Sequence, residues 1–303
     1  MKHNDQPIAT FDRVTKKFGR LRAVDEVSFS VGPGEVLGVV GDDESGKTTL
    51  ISLLMGFSRI SRGAIVVDEQ KLTPHRAHRA HRATGYAAHD TALPRSMTGE
   101  RYLSLVASRR QASKGQYERL VRAFRPELYG RLDTLSAINQ QKIALTAAFL
   151  GSPKLLVLDE PTRGLDVLSR EVLLEAVRTA SRQGAAVVLS SQYPGDIAQV
   201  CSRLLLLKDG KVAHDLSRED IIRHTGKNVT VYSEKAIALP AEATKLRTGS
   251  DRKVKFSYTG TTQALLEWIN GLEGKDVEDI EIESRSLDDE YRHLYADPED
   301  DNE

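Results

Sequence analysis

Eight residues, Gly41-Asp42-Asp43-Glu44-Ser45-Gly46-Lys47-Thr48, fit the spacing G-x-x-x-x-G-K-[ST] and lie between a strand-like apolar run and a helix-like pattern. Phosphate oxygens need several converging donors. Successive backbone N–H groups and a helix N-terminus can supply them here, with Lys47 as a point charge. The Thr48 hydroxyl is placed to ligate Mg2+, a cation that prefers oxygen. From average composition, a chance match in a chain this long is on the order of one in a hundred, before that context is required. A second signal is Leu155-Leu156-Val157-Leu158-Asp159-Glu160. An apolar strand ending in two acids places them at the C-terminal edge of a sheet, where α/β folds bind ligands. Asp159 would hold Mg2+ through water, and Glu160 would polarise an attacking water. A third pattern, His75-Arg76-Ala77-His78-Arg79-Ala80-His81-Arg82-Ala83, has histidines at i, i+3 and i+6. With arginines interleaved and no carboxylate or cysteine, it reads as a solvated basic helical turn rather than a metal site.

The elements that must position these residues follow from hydrophobic patterning. Val27, Phe29 and Val31 alternate as in a half-buried strand, and Glu35–Val40, Lys154–Leu158 and Ala185–Leu189 read as buried strands. Lys47 to Phe57 reads as a helix. Leu168, Val172, Leu173, Ala176, Val177 and Ala180 mark another, with Gly184 where a C-terminal cap belongs. Leu204–Leu207, Asp209-Gly210 and Lys211-Val212 predict a hairpin with a type I′ turn. Alternating strands and helices indicate an α/β fold with a parallel sheet. From about 90 to 150, Tyr102, Leu103, Leu105 and Val106, then Leu120, Val121 and Phe124, have helical periodicity with few strand formers, as in a helical insertion. A second unit is expected over 221–296, with strands at Val229–Tyr232, Val254–Tyr258 and Ile280–Ile282, and a helix carrying Leu265, Trp268, Ile269 and Leu272. The acidic end, 297–303, is expected to be disordered.

Composition narrows the function. Forty-three Lys and Arg balance 43 Asp and Glu among 303 residues, so no broad basic field for nucleic acid is expected. One cysteine, Cys201, excludes an intrachain disulfide framework and fits a reducing compartment. No apolar run approaches the ~18 residues needed to cross a bilayer, and the N-terminus lacks a signal peptide's apolar stretch.

The two acids continue as Asp159-Glu160-Pro161-Thr162-Arg163-Gly164-Leu165-Asp166, which resembles the joined Walker B motif and D-loop of ATP-binding cassette (ABC) ATPases. Phe18-Gly19 resembles the aromatic A-loop that stacks on adenine, Leu135-Ser136 opens a segment placed like the ABC signature, and Ser190-Ser191-Gln192 falls where a switch histidine follows two serines. The resemblance covers about residues 8 to 215, and the part ending Ser284–Tyr291 resembles the C-terminal extension of ABC-2-type exporter ATPases. It implies a P-loop NTPase core of mainly parallel sheet, an antiparallel β subdomain and a helical subdomain within an ABC domain over 1–220, followed by a small α+β extension. The implied cofactors are ATP and Mg2+. Gly41, Asp42, Asp43, Glu44, Ser45, Gly46, Lys47, Thr48 and Thr49 would form the cradle, Phe18 would hold the base, and Ser136 would cap ATP on an opposite subunit. Thr48, Asp159 and His89 would hold the metal, and Glu160 and Gln192 would serve catalysis.

Five positions depart from the family pattern. Glu44 stands where glycine is usual; a carboxylate about 6 Å from a phosphate charge would cost about 3 kcal/mol at an effective dielectric near 20, unless it points to water. In Thr84-Gly85-Tyr86-Ala87-Ala88-His89-Asp90, His89 replaces the Q-loop glutamine, and imidazole is a poor ligand for magnesium. Gln192 can donate to a γ-phosphate but cannot relay a proton. In Leu135-Ser136-Ala137-Ile138-Asn139-Gln140-Gln141, Ala137 and Ile138 replace paired glycines, and β-branched Ile138 would obstruct close approach; the same residues also read as a serine-capped helix start.

The resemblance implies an ATPase subunit of an ABC transporter, with reduced turnover. Its partners would be a multi-span membrane permease and a second ABC ATPase subunit, identical or sibling. It would work in the cytoplasm, on the inner face of the membrane. The alternative is a regulatory module that binds ATP, dimerises with a sibling and rarely cleaves it. A role on ribosomes or DNA fits less well, because the chain has one cassette and no basic surplus.

Overall fold

The computed structural model describes residues 6–73, 75, 77–224, 227–233, 237–245, 253–258, 260, 262–272 and 277–284. The chain divides into two compact units, Met1–Leu216 and Ser217–Glu303. In the first, chain order is β1 (Ala9–Phe18), β2 (Leu21–Val31), β3 (Val36–Val40), α1 (Lys47–Leu54), β4 (Arg62–Val67), β5 (Gln70–Lys71), α2 (Ala77–Ala80), β6 (Thr84–Ala88), α3 (Gly99–Arg109), α4 (Lys114–Phe124), α5 (Ala137–Phe149), β7 (Leu155–Asp159), α6 (Val167–Arg182), β8 (Ala186–Ser191), α7 (Pro194–Ile197), β9 (Arg203–Lys208) and β10 (Lys211–Ser217).

Six strands form the central sheet in the order β10-β9-β3-β8-β7-β6, with β9, β3, β8, β7 and β6 parallel to one another. β3, β7 and β8 are buried along their whole length. That is why they read as continuous apolar runs rather than alternating ones. Parallel register brings the C-terminal ends of β3, β7 and β8 to one edge, where Gly41, Glu160 and Gln192 follow in sequence. Asp209 and Gly210, at φ 51° and 74°, make the expected turn between β9 and β10.

A second, antiparallel sheet, β2-β1-β4-β5, packs its Phe11, Phe29 and Ile65 into the core with Leu50 and Leu54 of α1. The run from 90 to 150 contributes α3, α4 and α5, each started by a side chain that accepts an N–H of its first turn: Thr98, Ser113 and Ser136. Arg110, just past α3, donates to the carbonyls of Thr84 at 2.8 Å, Ala148 at 3.2 Å and Leu150 at 3.4 Å. It ties the helical segment to the start of β6.

Two helical expectations change. α1 ends at Leu54 rather than Phe57, because Gly56 takes φ 66° and turns the chain out of the helix. Leu168 is not on the buried face of α6; it is 79% exposed, as is Val167 at 76%.

The second unit comprises α8 (Arg218–His224), β11 (Lys227–Ser233), β12 (Ala243–Lys245), β13 (Lys253–Tyr258), α9 (Thr262–Asn270) and β14 (Val277–Ser284). Its sheet, β12-β13-β11-β14, has a small core of Val229, Val231, Phe256, Tyr258 and Leu265, against which Trp268 and Ile269 pack. The acidic segment 297–303 and the Arg285–Tyr291 part of the extension match lie outside the described residues, as do the side chains of Arg79, Ala80 and His81. Among the described residues, no helix is long and apolar enough to cross a membrane.

Candidate functional site

The loop from β3 to α1 is shaped by its glycines. Gly46, at φ 106°, sits where a Cβ would collide with the Ala23 carbonyl, and a Cβ on Gly41 would stand 2.6 Å from the Leu207 carbonyl. The β9–β10 turn braces the loop, the Gly210 N–H donating to the Ser45 carbonyl at 3.0 Å. Glu44 takes φ 69°, the left-handed region that explains why glycine suits this position, and its side chain is exposed. The carboxylate thus stays in water. Asp42, Asp43 and Thr48 are also exposed, Thr49 is half-buried, and Ser45 and Lys47 are buried.

Lys47 points back into its own loop. Its ammonium donates to the carbonyls of Gly41 at 2.6 Å and Asp42 at 2.7 Å, and Glu160 Oε1 lies 4.0 Å away. Burial pulls the Lys47 pKa below its ordinary value, with the carboxylates of Glu160, Asp43, Asp159 and Asp42 acting against that shift. The site therefore holds a desolvated cation whose hydrogen-bond partners are two main-chain carbonyls, with Glu160 as its nearest counter-charge. A polyanion can displace the carbonyls.

Opposite stand the two acids at the end of β7. Ser190, fully buried on β8, donates its hydroxyl to Asp159 Oδ1 at 2.5 Å and accepts the Glu160 N–H at 2.9 Å. The Thr48 hydroxyl lies near enough to the Asp159 carboxylate to favour its ionised form slightly. Burial pushes the Asp159 pKa up, chiefly opposed by the Ser190 hydroxyl. Glu160 is likewise pushed up by burial, opposed by Lys47 and by the Gln192 N–H, which donates to Glu160 Oε2 at 3.3 Å. Glu160 Oε1 is buried without a hydrogen-bond partner, although Lys47 is near. The side-chain Nε2 of Gln192 donates to Asp43 Oδ1.

Thr48 and Asp159 together offer hard oxygen donors, which suit Mg2+. The His89 ring lies on another side. Its main-chain N–H donates to the Asp159 carbonyl at 3.0 Å, but Cε1 is 3.6 Å from the place of a Cβ on Gly164, near Gln141 Oε1. Nδ1 is buried without a partner. The ring lines a cleft of about 580 Å3 that includes Asp90, Arg95, Asp133 and Gln141. Among the described residues, no three His, Cys, Asp or Glu side chains gather as a metal site.

The remaining expected residues lie apart from Lys47 in sequence and on the surface. Phe18, at the end of β1, is 53% exposed with the Lys16 ammonium 4.6 Å from its ring centre. Ser136 caps α5, its hydroxyl accepting the Asn139 N–H at 3.4 Å, and it remains exposed together with Ala137, while Ile138 is half-buried. Gln141, on the same helix, donates to the Pro161 carbonyl at 2.9 Å. Asp166 caps α6 and lies 3.8 Å from Lys142. Sequence reasoning missed Ser190 and Asp43 as partners of Asp159 and Gln192. The parallel pairing of Leu158 with Leu189 is the signal that would have placed Ser190 beside Asp159.

Comparison with known proteins agrees with this geometry. The family model described as ABC transporter matches residues 24–163. The ABC transporter ATP-binding protein YhaQ of Bacillus subtilis is 31% identical over 232 residues, covering 74% of this chain and 76% of that protein. Nod factor export ATP-binding protein I of Bradyrhizobium diazoefficiens is 32% identical over 227 residues, covering 71% and 72%. A solved ATP-binding subunit of an ABC transporter superposes with a TM-score of 0.65 at 28% identity, covering 71% of this chain and 92% of that one. A dimeric bacterial ABC transporter cassette shares the fold at a TM-score of 0.62 and 21% identity, covering 69% and 98%. The chain belongs to the ABC transporter family and is an ATP-binding subunit of such a transporter.

Proposed function

We propose that this chain drives export as the ATPase subunit of an ABC-2-type transporter. Two cassettes, identical or siblings, close head to tail over ATP; closure moves a separate multi-span permease between two access states, and slow hydrolysis resets it. The observation that carries the reading is the buried Lys47 ammonium, held by the Gly41 and Asp42 carbonyls 4.0 Å from Glu160. The name of the Nod factor export relative supports the direction. The exposed Val167 and Leu168, directly after the D-loop, support a second cassette on this face.

In this reading residues Gly41 to Thr49 bind the triphosphate and Phe18 takes the base. Thr48 and Asp159 would hold Mg2+; the His89 ring, turned toward Gly164 and Gln141, takes no part in it, contrary to the sequence expectation. Bound there, the cation would offset negative charge on the β- and γ-phosphates. Glu160 Oε1, buried and unbonded, accepts a proton from the attacking water. The Gln192 amide donates to the γ-phosphate but relays no proton, so turnover is slow. Ser136, exposed at its helix start, donates to ATP on the opposite cassette.

Single-turnover phosphate release by Glu160→Gln tests the catalytic part: a loss of about 100-fold is expected, and unchanged release refutes it. Co-purification from membranes tests the transport part, where an attached multi-span protein is expected and a consistently free protein contradicts it. A regulatory module that binds ATP and rarely cleaves it is the second reading; the glutamine at 192, whose amide relays no proton, favours it.

A further inference from the structure

We propose that Asp43 is the positioning residue for Gln192, holding the amide by its nitrogen end so that it can serve the terminal phosphate. The juxtaposition is specific. Gln192 is fixed at two points: its main-chain N–H on Glu160 Oε2 at 3.3 Å, and its side-chain Nε2 on Asp43 Oδ1. The residue therefore bridges the acid at the end of β7 and the phosphate loop, across 149 positions of sequence. Glu160 in turn lies 4.0 Å from Lys47, which is bonded to the Asp42 carbonyl next to Asp43. Asp43, Gln192, Glu160 and Lys47 thus form one closed circuit around the place where the triphosphate enters.

The chemistry of the glutamine explains the need for a partner. A side-chain amide carries a donor end and an acceptor end of nearly the same shape. An acceptor end turned to a γ-phosphate would repel it. An ionised carboxylate accepts only, so it selects the Nε2 end. Nε2 carries two hydrogens: Asp43 takes one, and the other stays free for a phosphate oxygen. An asparagine at 43 would offer both a donor and an acceptor, and the selection would be lost. The same carboxylate lies among the charges that act on Lys47, so its presence also opposes the incoming polyanion. Asp43 orients at a cost in affinity.

The inference rests on the proposed role of Gln192 in turnover. Its test is a double-mutant cycle on the full-length chain, reading kcat and KM for Mg-ATP together with Mg-ATP binding by calorimetry. Asp43→Asn and Asp43→Ala should each lower kcat by about tenfold, the worth of an orienting hydrogen bond to a charged group. KM and the calorimetric Kd should fall by several-fold, because a negative charge has left the loop. In a Gln192→Ala background, Asp43→Ala should leave kcat where Gln192→Ala put it, while still tightening binding. Multiplicative kcat losses in the double variant overturn the proposal alone. Wild-type kcat in Gln192→Ala overturns the reading of Gln192 and this proposal with it. Asp43 is exposed, and the binding heat of each variant reports that its loop is intact.

Discussion

Ser190 is the least conspicuous residue of the site and the one whose removal is most diagnostic. Ser190→Ala removes one oxygen from a fully buried position, so packing changes little. It strips two interactions at once: the 2.5 Å bond to Asp159 Oδ1 and the 2.9 Å bond from the Glu160 N–H. The first is charge-assisted and worth about 2 kcal/mol, and the second leaves an N–H without its acceptor at about 1 kcal/mol, so the expected loss is about 3 kcal/mol. The sign of the pH dependence follows from Asp159, whose pKa burial already pushes up and Ser190 pulls back. In the variant the folded chain keeps the Asp159 proton to higher pH than the unfolded chain. Stability is then greatest below the unfolded carboxyl value, near 4, and is lost as pH rises through the folded value. The deficit should shrink to about 1 kcal/mol near pH 4 and grow toward its full size as pH rises through the folded Asp159 value. Hydrogen exchange of β7 amides under increasing urea measures it. A deficit below about 0.5 kcal/mol at pH 7, or one that grows as pH falls, would refute the reasoning.

Two further outcomes are expected. Glu44→Gly relieves a left-handed backbone worth about 1–2 kcal/mol and loses roughly 0.5–1 kcal/mol to unfolded-chain entropy, so the unit should melt about 2 °C higher by calorimetry. Because the carboxylate points to water, the Mg-ATP Kd should change by less than about threefold. Leu168→Asp, at a position 79% exposed, should leave the melting temperature unchanged and weaken ATP-dependent self-association by at least about tenfold in sedimentation velocity.

Legibility in the sequence followed the range of the interaction. The β3–loop–α1 unit was readable because every determinant lies within about 20 residues: buried strand, glycines, lysine and apolar helix face. β7 and β8 were readable as continuous apolar runs. β1 was not, because its register against β2 shifts between Phe11 and Val14, between Val14 and Lys16, and again at Lys17, which breaks the alternation. Leu168 fitted the helical repeat but stands on the first turn of α6, beyond the core. The partners of the site residues were hidden for a different reason. Ser190 reaches Asp159 across 31 residues and Gln192 reaches Asp43 across 149, so only the sheet order brings them together. The direction of the His89 ring, toward Gly164 and Gln141, likewise depends on packing between β6, α5 and the loop after β7.

The central claim is that main-chain amides around Lys47 hold the phosphates of ATP, and titration calorimetry tests it most directly. The wild-type chain should bind Mg-ATP with measurable heat, and Lys47→Ala should lose at least about 100-fold in affinity through removal of a buried charge-assisted contact. No heat from the wild type at millimolar Mg-ATP, or equal affinity in the variant, would contradict the account.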